Sequence, residues 1–109
     1  MYIRDGQPTF NASLPDISIT AGKFYEFLWK DASGNKVNVT NKDYFITNTF
    51  SISSVNGCPS TFFTIYERND TFMGVPPSGY VGCIYDVTIT AKDQMGGTTT
   101  ETFRITIVN

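Results

Sequence analysis

Apolar and polar residues alternate with a period of two along much of the chain. The clearest run lies between Tyr80 and Asn109. Tyr85, Val87, Ile89 and Ala91 alternate with Asp86, Thr88 and Thr90. A polar turn follows at Lys92-Asp93-Gln94-Met95-Gly96-Gly97, and then Phe103, Ile105 and Ile107 alternate with Thr102, Arg104 and Thr106. Two period-two runs around a glycine-containing turn predict a β-hairpin with one buried and one solvated face. A second sheet is needed to cover the buried face.

The same reading extends upstream. Met1 to Pro15 lacks periodicity and reads as an extended leader. Ile17 and Ile19 form a short strand, and Ala21-Gly22 turns the chain. Lys23 to Trp29 carries bulk on both faces, which predicts a central strand, or one whose second face is covered in an assembly. Asp31 to Asn35 is a turn by composition. Val37 to Thr40 is a weak strand. Tyr44 to Val55 is a longer one, with Phe50, Ile52 and Val55 inward. Asn56-Gly57 signals a further turn. Phe62 to Tyr66 places Phe63 and Ile65 on one face, and Thr71 to Val75 is short. Pro76-Pro77-Ser78-Gly79 breaks the chain before the closing hairpin. Seven to nine short strands and no helix predict a β-sandwich.

A length of 109 residues suits one domain, which at this size buries well over half of its unfolded surface. The formal charge of -2 and the lack of a basic cluster argue against a nucleic-acid partner. Histidine is absent, so no Ser-His or Cys-His nucleophile pair can be built. Glu26, Glu67 and Glu101 are scattered, and the chain is not expected to be an enzyme. No apolar run is long enough to span a membrane, and no charged-then-apolar signal opens the sequence. Low charge with abundant Thr, Ser, Asn and Gly is the texture of a secreted β-protein.

Cys58 and Cys83 are the two cysteines, too few for a zinc site without histidine. They lack Cys-x-x-Cys spacing, so a structural disulfide is expected over a redox pair. Closing a loop of about 26 residues stabilises a fold by roughly 3 kcal/mol.

Four motifs in order resemble dystroglycan-type cadherin-like domains and the related putative-immunoglobulin repeats. Leu14-Pro15-Asp16-Ile17-Ser18-Ile19-Thr20-Ala21-Gly22-Lys23-Phe24-Tyr25 is similar to their opening. Phe72-Met73-Gly74-Val75-Pro76 resembles their Gly-Thr-Pro element, with Val75 in place of Thr. Tyr85 to Asp93 with Gly82 and Gly96 resembles the penultimate strand and turn, and Thr102 to Asn109 the last strand. The resemblance covers residues 14 to 109, while Lys36 to Arg68 departs from the pattern. It implies an all-β, immunoglobulin-like (cadherin-like) Greek-key sandwich. It also implies an extracellular module, often one bead in a tandem string. Residues 1–13 are then an extended N-terminal segment, a candidate strand for a neighbouring subunit's sheet.

Asn11, Asn38 and Asn69 each open an Asn-x-Ser/Thr sequon, and Asn56-Gly57-Cys58 is a rarer variant. In a secreted eukaryotic chain these are candidate N-glycan sites; the ordinary alternative is turn asparagines. Relatives often hold Ca²⁺ near domain ends, which makes Asp31, Asn35 and Asp93, with Asp16, candidate ligands. Calcium prefers six to eight oxygens and several carboxylates, so turn-capping aspartates are the competing reading and no cofactor is required. Trp29, Tyr25, Tyr44, Tyr66 and Tyr80 are candidate sugar-stacking rings, or core aromatics with wet hydroxyls. The leading expectation is a structural module of an extracellular, glycosylated, adhesive or filament-forming surface protein. It would contact other copies or tandem neighbours through its ends and edge strands. The alternative is a carbohydrate-binding module, Ca-assisted or not, using Trp29 and Tyr66.

Overall fold

A computed structural model describes residues 8–40 and 46–109. The described residues form nine strands and two single-turn 3-10 segments. The strands are β1 (Thr9–Phe10), β2 (Ile17–Thr20), β3 (Tyr25–Glu26), β4 (Val39–Thr40), β5 (Ile46–Ser54), β6 (Phe63–Tyr66), β7 (Thr71–Gly74), β8 (Ile84–Asp93) and β9 (Thr98–Val108). The 3-10 turns are Glu67–Asn69 and Ser78–Tyr80.

A four-stranded sheet, β2-β9-β8-β5, faces a three-stranded sheet, β3-β7-β6, and β1 pairs with β4 apart from both. Strands adjacent in sequence repeatedly cross between the sheets, and β2 runs parallel to β9 while the sheet's other pairs, β9 with β8 and β8 with β5, are antiparallel. This is the expected immunoglobulin-like sandwich. The closing hairpin is its centre: β8 pairs with β9 on one side and β5 on the other. Tyr85, Val87, Ile89, Ala91, Phe103, Ile105 and Ile107 are all buried, as the period-two pattern requires.

Phe27 joins the layers. It stacks on Phe72 of β7 at 5.2 Å and on Phe103 of β9 at 5.4 Å, and meets Phe50 of β5 edge-on at 5.9 Å. Such ring pairs add about 0.5–1.5 kcal/mol each beyond the area that they bury. The Cys58–Cys83 disulfide is formed, with the Cα atoms 5.8 Å apart. Asn56 reinforces it, donating to the Gly82 carbonyl and accepting from the Ile84 N–H.

Several expectations need correction. The segment Lys23 to Trp29 is not central: β3 lies at the edge of its sheet, and Phe24 and Leu28 are 63% and 59% exposed. Its bulk divides by face, with Phe27 in the core and Phe24 and Leu28 in solvent. Val55 points outward, because β5 ends at Ser54 and the Asn56-Gly57 turn begins there. Ile65 shares a parity with Phe63, yet it is exposed toward the end of a short edge strand. Within the segment set apart as 1–13, residues from Pro8 onward join the chain's own fold. Pro8 is buried, and Thr9 and Phe10 pair with Thr40 and Val39. Residues 1–7, with their proposed inter-subunit role, and Tyr44 lie outside the described residues.

Candidate functional site

After β3 the chain runs into a small hairpin closed by the Lys30–Lys36 bridge and the Val37 N–H to Trp29 carbonyl bond. Trp29 therefore stands at its base, beside β4 and the turn that follows β6. There it borders a cleft of about 320 Å³ whose rim includes Asn38, Asn69, Lys36 and Asp70, and whose wall includes Asn48.

Each of these side chains has a local reason for its place. The Trp29 Nε1–H donates to the Asp70 carbonyl at 2.6 Å. Asp70 adopts a left-handed backbone with φ 53°, and its N–H closes the 3-10 turn onto the Glu67 carbonyl. Asn38 is held by Asn11, which accepts from the Asn38 N–H through Oδ1 at 2.8 Å and donates its own N–H to the Asn38 carbonyl. Asn48 is inward by the alternation of β5, sharing the parity of Phe50 and Ile52. It is only 8% exposed, and its Oδ1 has no hydrogen-bond partner among the described residues. A buried amide oxygen left unpaired costs about 1–3 kcal/mol. Lys36 and Asp70 bring one charge of each sign, so the cleft carries no strong net field.

Trp29 and Tyr66 are not brought to one surface. Tyr66 belongs to a separate cleft with Ile65, Glu67 and Arg68, on the other side of Asn69. The Trp29 ring is also largely engaged: Phe10 stacks on it at 6.4 Å, and Phe27 and Phe50 meet it edge-on. It offers a margin to the cleft rather than an open face. Tyr85 is a core ring and Tyr25 packs, partly buried, against the core; burial raises both phenol pKa values, with Tyr80 a second cause at Tyr85. The Tyr85 hydroxyl donates to the Pro59 carbonyl.

The candidate calcium ligands serve the backbone. Asp31 Oδ1 accepts from the Ser33 and Asn35 N–H groups, and Asp93 Oδ1 from those of Met95 and Gly97. Asp16 Oδ1 accepts from the Arg104 N–H where β2 meets β9. These are turn and strand caps of the kind Asp forms. Among the described residues, no three His, Cys, Asp or Glu side chains gather within reach of one metal ion.

The fold brings the sequons together. Asn11 and Asn38 bond directly, and Asn38 and Asn69 border the same cleft. Sequence reasoning passed over Asn48. Its signal was an amide in an inward slot of an otherwise apolar alternation.

No helix among the described residues is long and apolar enough to cross a membrane. The disulfide and the sandwich are consistent with an extracellular location. A search of curated proteins finds no match. Among solved structures, the chain is similar to a nucleoside hydrolase-related hypothetical protein from Saccharophagus degradans that is associated with carbohydrate metabolism. The TM-score is 0.62 and the identity 12%; the match covers 92% of this chain and 25% of the other. At that identity the likeness concerns the fold, and this chain spans about a quarter of that protein's length. The family model described as Putative Ig domain matches residues 7–108. That match names the immunoglobulin side of the resemblance and not the dystroglycan-type cadherin-like detail. With nearly the whole length matched and an immunoglobulin-like sandwich in place, the chain belongs to the Putative Ig domain family.

Proposed function

We propose that the domain is a non-catalytic interaction module of an extracellular surface protein, joined to other copies or tandem neighbours through its edge strands and ends. Strand β5 carries this reading. It is a nine-residue edge strand that pairs on one side only among the described residues. Its sequence, ITNTFSISS, contains no charge and no proline. Edge strands normally blunt their free hydrogen-bonding groups with charge, proline, bulges or short length. The opposite edge does so: β2 has four residues, follows Pro15, and has the Asp16 carboxylate at its start. An unguarded β5 is suited to antiparallel addition of a neighbour's strand.

Adhesion, filament formation and N-linked glycans at Asn11, Asn38 and Asn69 extend the same reading. Light scattering over a concentration series tests its core. The full chain self-associates, and Thr49→Lys with Ser51→Lys, both on exposed positions, abolishes association while leaving the fold intact. A wild-type chain that stays monomeric throughout its soluble range overturns the β5 contact.

A second reading, a carbohydrate-binding module, is favoured by one observation: the Asn48 amide oxygen, in the wall of the Trp29 cleft, has no hydrogen-bond partner among the described residues. Neither reading requires a metal.

A further inference from the structure

We propose that the cleft beside Trp29 holds a single hydroxyl-rich sugar ring, with Asn48 as its deepest hydrogen-bonding group. The inference rests on the second reading above and assigns it a place and a contact set.

Asn48 is the reason to expect a ligand there. It is more than nine-tenths buried, lines the cleft, and leaves Oδ1 without a partner among the described residues. Native interiors seldom leave such an oxygen unpaired, and one without a protein partner calls for a water, an ion or a functional role. Its place in the inward row of β5, where Phe50 and Ile52 are apolar, marks it as a departure from core patterning. Such local departures tend to fall at functional sites.

The surrounding groups select the chemistry. Asn38 and Asn69 bring two more neutral amides to the rim, each able to donate and accept. A pyranose presents neighbouring hydroxyls that do the same. Some bridge the rim, and one donates to Asn48 Oδ1, which is closed to solvent in the free chain and is reached as the side chains over it part. The fixed Trp29 ring, with much of its surface against Phe10, Phe27 and Phe50, leaves a margin for the C–H side of a sugar. Lys36 and Asp70 oppose each other in charge, which favours a neutral ligand over an ion. A volume of about 320 Å³ is at the small end for ligand sites and suits one ring. Tyr66, in its own cleft, takes no part.

The ring can come from two sources, a saccharide on a partner or an N-linked sugar of this chain at Asn38 or Asn69. Two arms separate them. In the first, unglycosylated, isotopically labelled full-length chain is titrated with glucose, galactose, mannose and N-acetylglucosamine while amide and indole resonances are followed. Saturable shifts at Trp29 Nε1–H and the Asn38 and Asn69 side chains are expected. Asn48→Leu, nearly isosteric, weakens binding at least tenfold, whereas Tyr66→Ala leaves it within about twofold. In the second arm, chain secreted from a glycosylating host is mapped for occupancy and then enzymatically deglycosylated. If the sugar is the chain's own, deglycosylation lowers the wild-type Tm by several degrees and leaves the Tm of Asn48→Leu unchanged.

An Asn48-dependent effect in either arm supports the proposal. Sugar-induced shifts confined to Tyr66 and its neighbours overturn this site while sparing carbohydrate binding as such. Absence of saccharide binding in the first arm, and of any Asn48-dependent glycan effect in the second, overturns both. An Asn48→Leu variant that is more stable yet unchanged in both arms shows Asn48 to be a water-holding core defect, and also overturns the proposal.

Discussion

Replacing both cysteines by alanine should remove most of the stability that the disulfide confers, without changing the fold. The bridge joins residues 25 apart in sequence, and the loop it closes contains all of β6 and β7. Loop-closure entropy for that length is about 12 cal/mol/K, or about 3.5 kcal/mol at room temperature. Native geometry should survive, because hydrogen bonds span the same gap. Asn56 binds both Gly82 and Ile84, and the Tyr85 hydroxyl binds the Pro59 carbonyl. The loss therefore falls on the unfolded state, which becomes larger. A chain of this length has an unfolding entropy of about 0.23 kcal/mol/K, so Cys58→Ala with Cys83→Ala should lower Tm by about 15 °C. Urea titration checks the reasoning twice over. The free energy should fall by about 3.5 kcal/mol, and the m value should rise as the unlinked chain exposes more surface. A loss below about 1 kcal/mol with an unchanged m value would refute the argument that the bridge acts through the unfolded chain. A loss far above the entropic figure would show that the Asn56 clamp fails without the bridge.

Other perturbations test separate features. Gly74→Ala should cost about 1–3 kcal/mol in urea unfolding, because an added Cβ collides with the Phe62 carbonyl oxygen; a loss within about 0.5 kcal/mol would remove that close approach. The hydrogen bond from Arg104 holds the Asp86 carboxyl below its ordinary range, with burial opposing and the Arg104 charge assisting. That contribution is present above about pH 4 and lost as pH falls through the lowered folded pKa, so Asp86→Asn should lose less stability on acidification than wild type; equal acid limbs would count against it. Burial pushes the Tyr25 phenol well above its ordinary value. Its contribution is intact below about pH 10 and lost as pH rises toward the folded pKa, so Tyr25→Phe should flatten the alkaline limb of a stability profile.

The closing hairpin was legible because its two strands are long and their alternation is strict. Ten residues of β8 and eleven of β9 repeat the same inward parity until chance is excluded. Short elements were read less well, for a physical reason. In Lys23 to Trp29 the apolar residues occupy both parities, and periodicity cannot say which row is covered. The answer came from long-range contacts: Phe27 meets Phe72 and Phe103, far along the chain, while Phe24 and Leu28 meet solvent. Strand β1 was hidden for a similar reason. Two residues beside a buried proline have no period, and their pairing with β4 depends on a partner some thirty residues away.

The candidate site shows the complementary limit. The residues expected to act because of their type, Asp31, Asp93 and Asp16, have Oδ1 atoms engaged by nearby or neighbouring-strand backbone N–H groups. Trp29 drew notice as a ring, yet its neighbours cover much of it and its N–H is committed to Asp70. Asn48 drew none, since an asparagine in a Thr- and Ser-rich strand looks like solvent-facing texture. Its parity with Phe50 was the signal, and only the missing hydrogen bond gave that signal weight. A residue type suggests what a side chain can do; burial and an unmet partner indicate where something is still to be bound. By that measure the interior of the Trp29 cleft outranks the acidic turns, and three sequons far apart in sequence gain a common setting around it.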